Sequence, residues 1–266
     1  MKSIRLFAIL AIAVLAAGCT DHSQDPLNQT QTNQVKEMVK QALQENPKMV
    51  MEALQAYQRQ TQQEAADNTK KAMQTNAAEI YNNPASPVMG NPNGNITVVE
   101  FFDYNCGYCK AVFHPVRDAV LQDGNIRFVF KEYPILGESS VYATKAALAA
   151  GKQGKYVEFH TALMDSRAPK DEANITDMAT KLGLDVNRLK ADMNSPDIQQ
   201  LIQADIALAQ KLGVNGTPAF IVGDKFYPGA LGADEFKKLV DEFRTAKAEP
   251  AAAPAAAGTA PAPQPN

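Results

Sequence analysis

The chain has 266 residues, 45% of them hydrophobic and 21% charged, which is enough apolar material for one substantial domain with additions. Its formal net charge is −3, and without residues 1–18, which hold Lys2 and Arg5, 24 basic residues face 29 acidic ones, so no basic surplus points to a nucleic acid. Neither a repeat at solenoid spacing nor a glycine-rich phosphate loop is present, which leaves nucleotide chemistry without support.

Residues 1–18 read as an export signal, in which Lys2 and Arg5 precede the apolar stretch Leu6 to Ala17, too short to span a bilayer comfortably. The run Leu15-Ala16-Ala17-Gly18-Cys19 resembles the lipobox of bacterial lipoproteins, with alanine at position 16 where that box prefers leucine. The resemblance implies acylation of Cys19 as the mature N-terminus, and Thr20 after it implies delivery to the outer membrane. An ordinary signal-peptidase cut near Ala17 is the other reading. Either way export places the chain in an oxidising compartment, the periplasm, where a catalytic disulfide persists.

Residues 19–33 are polar and read as a tether. Val35, Met38, Val39, Ala42 and Leu43 then recur at three and four, a short amphipathic helix that stops before Pro47. Asn46-Pro47 reads as the cap and first turn of a second helix, with Val50, Leu54 and Tyr57 on one face and mostly polar residues from Gln58 to Glu79. Residues 34–82 are therefore expected to form a helical oligomerisation stalk whose apolar stripe pairs with a copy of itself, a homodimer rather than a trimer. A solvated linker helix is the alternative. Pro84, Pro87, Gly90, Pro92 and Gly94 mark a boundary, and residues 88–245 form the main domain.

The apolar run Ile96 to Phe102 leads into Cys106-Gly107-Tyr108-Cys109, followed by residues of helical composition. Cys106 thus falls where a buried strand hands over to a helix N-terminus, and the unpaired amides and positive dipole end there favour thiolate over thiol. Cys109, one turn on, can close the ring. A purely structural disulfide across this spacing would contribute only about 2 kcal/mol of chain entropy. A metal site using His114 is disfavoured, since five residues past Cys109 its side chain lies roughly 140° around the helix. No metal is expected.

Pro115 is expected to kink that helix. Ile126 to Lys131 makes a second strand, parallel to the first. Helices follow over Ser139–Ala150, Lys155–Asp165, Ile175–Leu182 and Val186–Met193, then a long one with Ser195 as N-cap and Pro196 at its first position, closing at Gly213. Ala219–Val222, the turn Gly223-Asp224 and Lys225–Tyr227 read as a hairpin, with a last helix from about Asp234 to Phe243. The Ala/Pro stretch 246–266 cannot form a core and reads as disordered.

A strand ending in C-x-x-C, a helical insertion over about 137–212, and Val214-Asn215-Gly216-Thr217-Pro218 opening a hairpin before a final helix resemble the thioredoxin superfamily. The large insertion makes residues 96–244 similar to the DsbA-like periplasmic thiol-disulfide oxidoreductases within it. The stalk resembles the N-terminal extensions of oligomeric members such as ScsC. The implied fold is α/β and thioredoxin-like with a helical insertion, preceded by the N-terminal helical stalk.

By this resemblance Cys106 matches the attacking cysteine and Cys109 the resolving one, while Thr217-Pro218 matches the Thr-cis-Pro pair that faces the disulfide. A proline that merely begins a strand is the plainer account. Glu100, six residues before Cys106, matches a buried acid beneath the site, with a desolvation-raised pKa and a proton relay to Cys109, or else a satisfied structural role. Lys131 is its candidate counter-charge. Gly107-Tyr108 stands where the strongest oxidases have Pro-His and resembles the dipeptide of the disulfide isomerase DsbC, which argues for a less oxidising disulfide. With Thr217 and Pro218 these two residues form the expected substrate-binding surface.

The function this implies is thiol-disulfide exchange that forms or isomerises disulfides in exported substrate proteins, with a membrane redox partner resetting the Cys106-Cys109 pair and no bound cofactor. A lipid-tethered structural or binding protein on a thioredoxin-like scaffold, without catalysis, is the competing reading.

Overall fold

The computed structural model describes residues 28–248. The signal, Cys19, most of the tether and nearly all of the Ala/Pro tail lie outside the described residues. The chain divides into two units between Gln60 and Thr61.

In the first unit, α1 (Gln29–Glu45) begins inside the segment expected to be a tether. The reason is a capping box: Asn28 Oδ1 accepts from the Gln31 amide at 2.9 Å, and Gln31 Oε1 accepts from the Asn28 amide at 3.0 Å. Asn46 closes α1, and Pro47 opens α2 (Pro47–Thr75), since a first-turn proline withholds an amide that has no partner anyway. Val35, Met38, Val39, Leu43, Val50, Leu54 and Tyr57 are all exposed.

The second unit is built on a five-stranded sheet of order β1-β3-β2-β4-β5. At its centre β2 (Ile96–Phe102) runs parallel to β3 (Ile126–Glu132) and antiparallel to β4 (Ala219–Val222), which pairs with β5 (Lys225–Pro228). The central strands are apolar almost throughout because both faces are covered. Val98 and Phe102 pack with Val112, Phe113, Val116 and Val120 of α4 (Gly107–Asp123), while Val99 and Phe101 pack on the other side with Leu208, Leu212 and Val214. The helix α4 passes through Pro115 as one 17-residue element.

Two features of this unit depart from the sequence reading. The end of the expected stalk is core: Met73 of α2 and Ile80 of α3 (Ala77–Tyr81) are buried against Val99, Phe101 and Leu212. Polar bonds fasten the same segment, from Thr69 Oγ1 to the Leu212 carbonyl at 3.1 Å and from Tyr81 OH to the Gly223 carbonyl at 2.9 Å. Two apolar anchors among so many polar residues leave no visible period, so composition hides them. The presumed boundary also holds a strand, β1 (Val88–Gly90), antiparallel on β3. An edge position tolerates the flanking prolines. Gly90, at φ 78°, cannot be replaced, because a Cβ there would stand 2.5 Å from the Ile126 carbonyl oxygen.

The insertion is α5 (Glu138–Gly151), α6 (Tyr156–Asp165), α7 (Glu172–Lys181), α8 (Val186–Asp192) and α9 (Pro196–Lys211). Asp171 caps α7 three residues earlier than periodicity implied, accepting from the Asn174 amide at 2.9 Å. Ser195 holds the N-cap position of α9 without capping it, since its hydroxyl donates instead to the Asp192 carbonyl at 2.6 Å. The last helix, α10 (Ala233–Ala248), runs past Phe243 into the first residues assigned to the tail.

Candidate active site

Strand β2 ends at Phe102, and the turn Asp103-Tyr104-Asn105 delivers Cys106 to the N-cap of α4. Its sulfur accepts from the Cys109 amide at 3.3 Å, so a side-chain acceptor fills an orphan donor of the first helical turn. The Cys106 thiol donates to the Thr217 carbonyl at 3.1 Å, and the Thr217-Pro218 peptide is cis. Both cysteines are free thiols, so the geometry is that of the reduced pair.

The two thiols differ in acidity. Cys106 is pulled down to about 5, first by the hydrogen bond from the Cys109 thiol, then by the Thr217 side chain and the amides of Cys109 and Tyr108, against the opposing effect of burial. Cys109 is pushed far up by burial, by its bond to Cys106 and by the charge of Glu100. Exposure does not separate them, at 5% for Cys106 and 0% for Cys109. A helix start ordinarily exposes its cap, but here the Thr217 carbonyl lies over the sulfur. Tyr108, by contrast, is 74% exposed, and Gly107 is open.

Glu100 lies on the same strand face as Val98 and Phe102, facing α4, and is 4% exposed. Burial, with the negative charge of Cys106 added, pushes its carboxyl up to about 8. Lys131 is not its counter-charge. In the β2–β3 register Glu100 pairs with Phe130 and Phe101 with Lys131, so alternation sends the lysine to the opposite face. There its ammonium donates to the Glu79 carbonyl and Ser86 Oγ, both at 2.8 Å, and to Asp205 Oδ1 at 3.2 Å.

Sequence reasoning missed a buried network under the same turn. Tyr104 OH donates to Glu132 Oε1 at 3.2 Å, Tyr156 OH to the same oxygen at 2.8 Å, and Thr144 Oγ1 to Oε2 at 2.9 Å. His160 Nδ1 lies 3.0 Å from Tyr104 OH, whose proton already serves Glu132, so His160 is the neutral Nδ1–H tautomer. Its Nε2 has no partner, and its ring packs on Phe102, Phe113 and Phe130. Burial, then the charge of Lys110, pushes His160 down to about 3, and burial pushes Glu132 up to about 8. Nothing local signals this network, because a charge at a strand end reads as an exit to solvent. Lys110, beside Cys109, donates to the carbonyls of Leu163, Met164 and Ser166 at 2.9, 3.0 and 2.9 Å, tying α4 to the end of α6.

His114 pairs with Asp165 at the surface, away from the thiols. Among the described residues no cluster of His, Cys, Asp or Glu could hold a metal ion, and no helix is long and apolar enough to cross a membrane.

The model of the DSBA-like thioredoxin domain matches residues 97–243. A thioredoxin-like oxidoreductase from Silicibacter pomeroyi is 46% identical and covers 63% of this chain and 97% of its own, with a TM-score of 0.61. Proteus mirabilis ScsC in a transitional conformation is 31% identical over 83% of this chain and 100% of its own, also with a TM-score of 0.61. Disulfide bond formation protein D of Bacillus subtilis is 25% identical over 59% of this chain and 76% of its own length. The chain also matches Na(+)/H(+) antiporters, of which it spans about a quarter, 24% in that of Salinispora arenicola at 29% identity over 58% of this chain.

Proposed function

The chain belongs to the DSBA-like thioredoxin family of thiol-disulfide exchange proteins, and from that premise we propose that it forms and isomerises disulfides in exported proteins through Cys106 and Cys109. The observation that carries this reading is the Cys106 sulfur, held at a helix start on the Cys109 amide, pulled down to about 5 and set against the Thr217 carbonyl.

In the reductive direction the Cys106 thiolate attacks one sulfur of a client disulfide, and the other client sulfur leaves as a thiolate that takes up a proton. Cys109 then attacks the Cys106 sulfur and the client's second sulfur leaves as a thiolate, the Cys109 proton passing to Glu100 where that carboxyl is ionised, as it becomes when pH approaches 8. The pair ends as a disulfide and the client as a dithiol. The reverse sequence oxidises a client, after which a membrane redox partner accepts two electrons and restores the disulfide. In isomerisation a client thiol, not Cys109, resolves the mixed disulfide. No bound cofactor enters any step. The exposed Gly107 and Tyr108, with the half-buried Thr217 backed by the buried cis Pro218, form the surface the client meets.

The proposed setting is the periplasm, with the chain anchored to the outer membrane through an acylated Cys19. The proposed assembly is a homodimer through the exposed stripe of α1 and α2, which sets two active sites around a shared cleft and keeps an oxidase from docking on the reduced pair. Insulin-reduction turbidity tests the chemistry: the chain should precipitate insulin and Cys106→Ser should not, whereas equal behaviour of the two would leave only the non-catalytic reading. A measured reduction potential separates oxidase from isomerase use.

A further inference from the structure

Lys110 follows Cys109 on α4, and its ammonium directs all three donors to another element, the carbonyls of Leu163 at 2.9 Å, Met164 at 3.0 Å and Ser166 at 2.9 Å. The first two are orphan acceptors in the last turn of α6, and Ser166 is its C-cap. That helix has no basic residue in its own last turn and ends in Asp165, so the cation that its negative end favours comes from α4. Lys170, 5% exposed, brings a second ammonium to the same place, donating to the Ser166 carbonyl at 2.9 Å and the Ala168 carbonyl at 3.2 Å.

Capping alone does not call for both. Lys170 already sits on the Ser166 oxygen, and a second ammonium there adds like-charge repulsion to the cost of burial. Lys110 is accordingly pushed down to about 8, by burial first and then by the charge of Lys170 and its hydrogen bond. Two negative charges act the other way, those of Asp165 and of Cys109 when ionised. Asp165 is half exposed and paired with His114, so water and salt screen it. The Cys109 sulfur is fully buried. Its coupling to Lys110 is mutual: what the thiolate does for the ammonium, the ammonium does for the thiolate. His160 of α6 stays neutral, partly under the same Lys110 charge.

We propose that Lys110 is a positioning residue for the resolving step: held on the carbonyl end of α6, its ammonium stabilises the thiolate that Cys109 must form before it attacks the Cys106 sulfur. The inference rests on the exchange chemistry proposed above. In the mixed disulfide Cys106 carries no charge and no longer draws a hydrogen bond from a thiolate form. Burial and Glu100 then oppose the ionisation of Cys109, and the fixed cation favours it. Lys110 takes up no proton in this step, because an ammonium has no acceptor site.

The test mixes the reduced full chain with dithiobis(nitrobenzoate), an aromatic disulfide, in stopped flow. The Cys106 thiolate attacks one reagent sulfur and a first coloured thionitrobenzoate anion leaves, at a rate proportional to reagent. Cys109 then loses its proton and attacks the Cys106 sulfur, and a second anion leaves at a rate independent of reagent. The pair ends as a disulfide and the reagent as two thiolates. Cys109→Ser should release one anion only, which assigns the second release. Lys110→Met should slow that second release about tenfold near pH 7 and leave the first within about twofold. Lys110→Arg, which keeps the charge and the donors, should restore most of the rate. The ratio of parent to Lys110→Met should fall toward one as pH rises through about 8 and Lys110 loses its proton, and Lys170→Met should carry that fall to higher pH. Glu100 cancels in the ratio, since it titrates in both proteins. If Lys110→Met fails to melt cooperatively, Lys110→Gln, which still donates to the α6 carbonyls, takes its place. Equal slowing of both releases, a ratio that does not vary with pH, or an arginine variant as slow as the methionine one overturns the proposal, because Lys110 would then only brace α4 against α6. A parent that releases no thionitrobenzoate would instead overturn the exchange reading itself, and this inference with it.

Discussion

Glu100→Gln separates the cost of the buried acid from its use. The carboxyl is raised from 4.5 to about 8, chiefly by burial. In the unfolded chain it ionises near the ordinary value, while in the folded protein it stays protonated until pH approaches 8. Stability from this group is therefore fully present below about pH 4.5 and is lost as pH rises through the interval to about 8. At 1.36 kcal/mol per unit the loss amounts to about 5 kcal/mol by the end of that interval. Glutamine keeps the shape and does not titrate, so the reduced variant should match the reduced parent at pH 4.5 and exceed it progressively, by about ten degrees or more in Tm, near pH 8. The difference between the two proteins isolates Glu100 from Glu132, which titrates in the same range in both. Thermal melts across pH 4.5 to 9 read the effect, alongside the exchange rate, which should fall and lose its dependence on a group near pH 8. A Tm difference that does not vary with pH would refute the reasoning, and an unchanged pH-rate profile would leave Glu100 with no part in the relay.

Thiolate absorbance in the ultraviolet should give Cys106 a midpoint near pH 5, and Cys109→Ala should move it upward, since the Cys109 thiol is the largest cause of the shift; a midpoint near the free value of about 8.5 in the parent would sink the site model. Lys131→Ala should destabilise by about 3 to 5 kcal/mol in denaturant melts, because Asp205 would be left buried without its ion-pair partner, whereas a cost below about 1 kcal/mol would mean that the pair is not desolvated. A chain beginning at Thr61 should fold and lose any self-association of the full chain, whereas one beginning at Asn83 should fail to melt cooperatively for want of Met73 and Ile80. Normal folding from Asn83 would return that segment to the stalk.

The redox pair was legible because its chemistry is local: a C-x-x-C at a strand-to-helix junction needs nothing from elsewhere to place a sulfur on helix amides. The central strands and the insertion helices were legible for a similar reason, since an apolar run or a period at three and four states its own burial. Lys131 was not. Two residues differing by one in register point to opposite faces, and the pairing of β2 with β3 that fixes the register is absent from either strand taken alone. Met73 and Ile80 were invisible because each is a single apolar residue whose partners lie across the sheet.

The Glu132 network shows where such non-local information collects and what it does for the site. Its acceptor comes from β3 and its donors from the redox turn, α5 and α6, so no element is correct until all four are in place. Three hydroxyls satisfy a carboxylate that burial alone would leave costly, which ties Tyr104, two residues from Cys106, to the insertion helices. Were His160 to gain a proton, Nε2 would carry a donor into a cage of aromatic rings with no acceptor, so the ring stays neutral across the working range of the thiols. The insertion therefore lends the redox turn rigidity without His160 adding a positive charge beneath it. The Cys106 thiolate is left to the helix amides, Thr217 and the Cys109 thiol, which is why its acidity survives the absence of a histidine between the two cysteines.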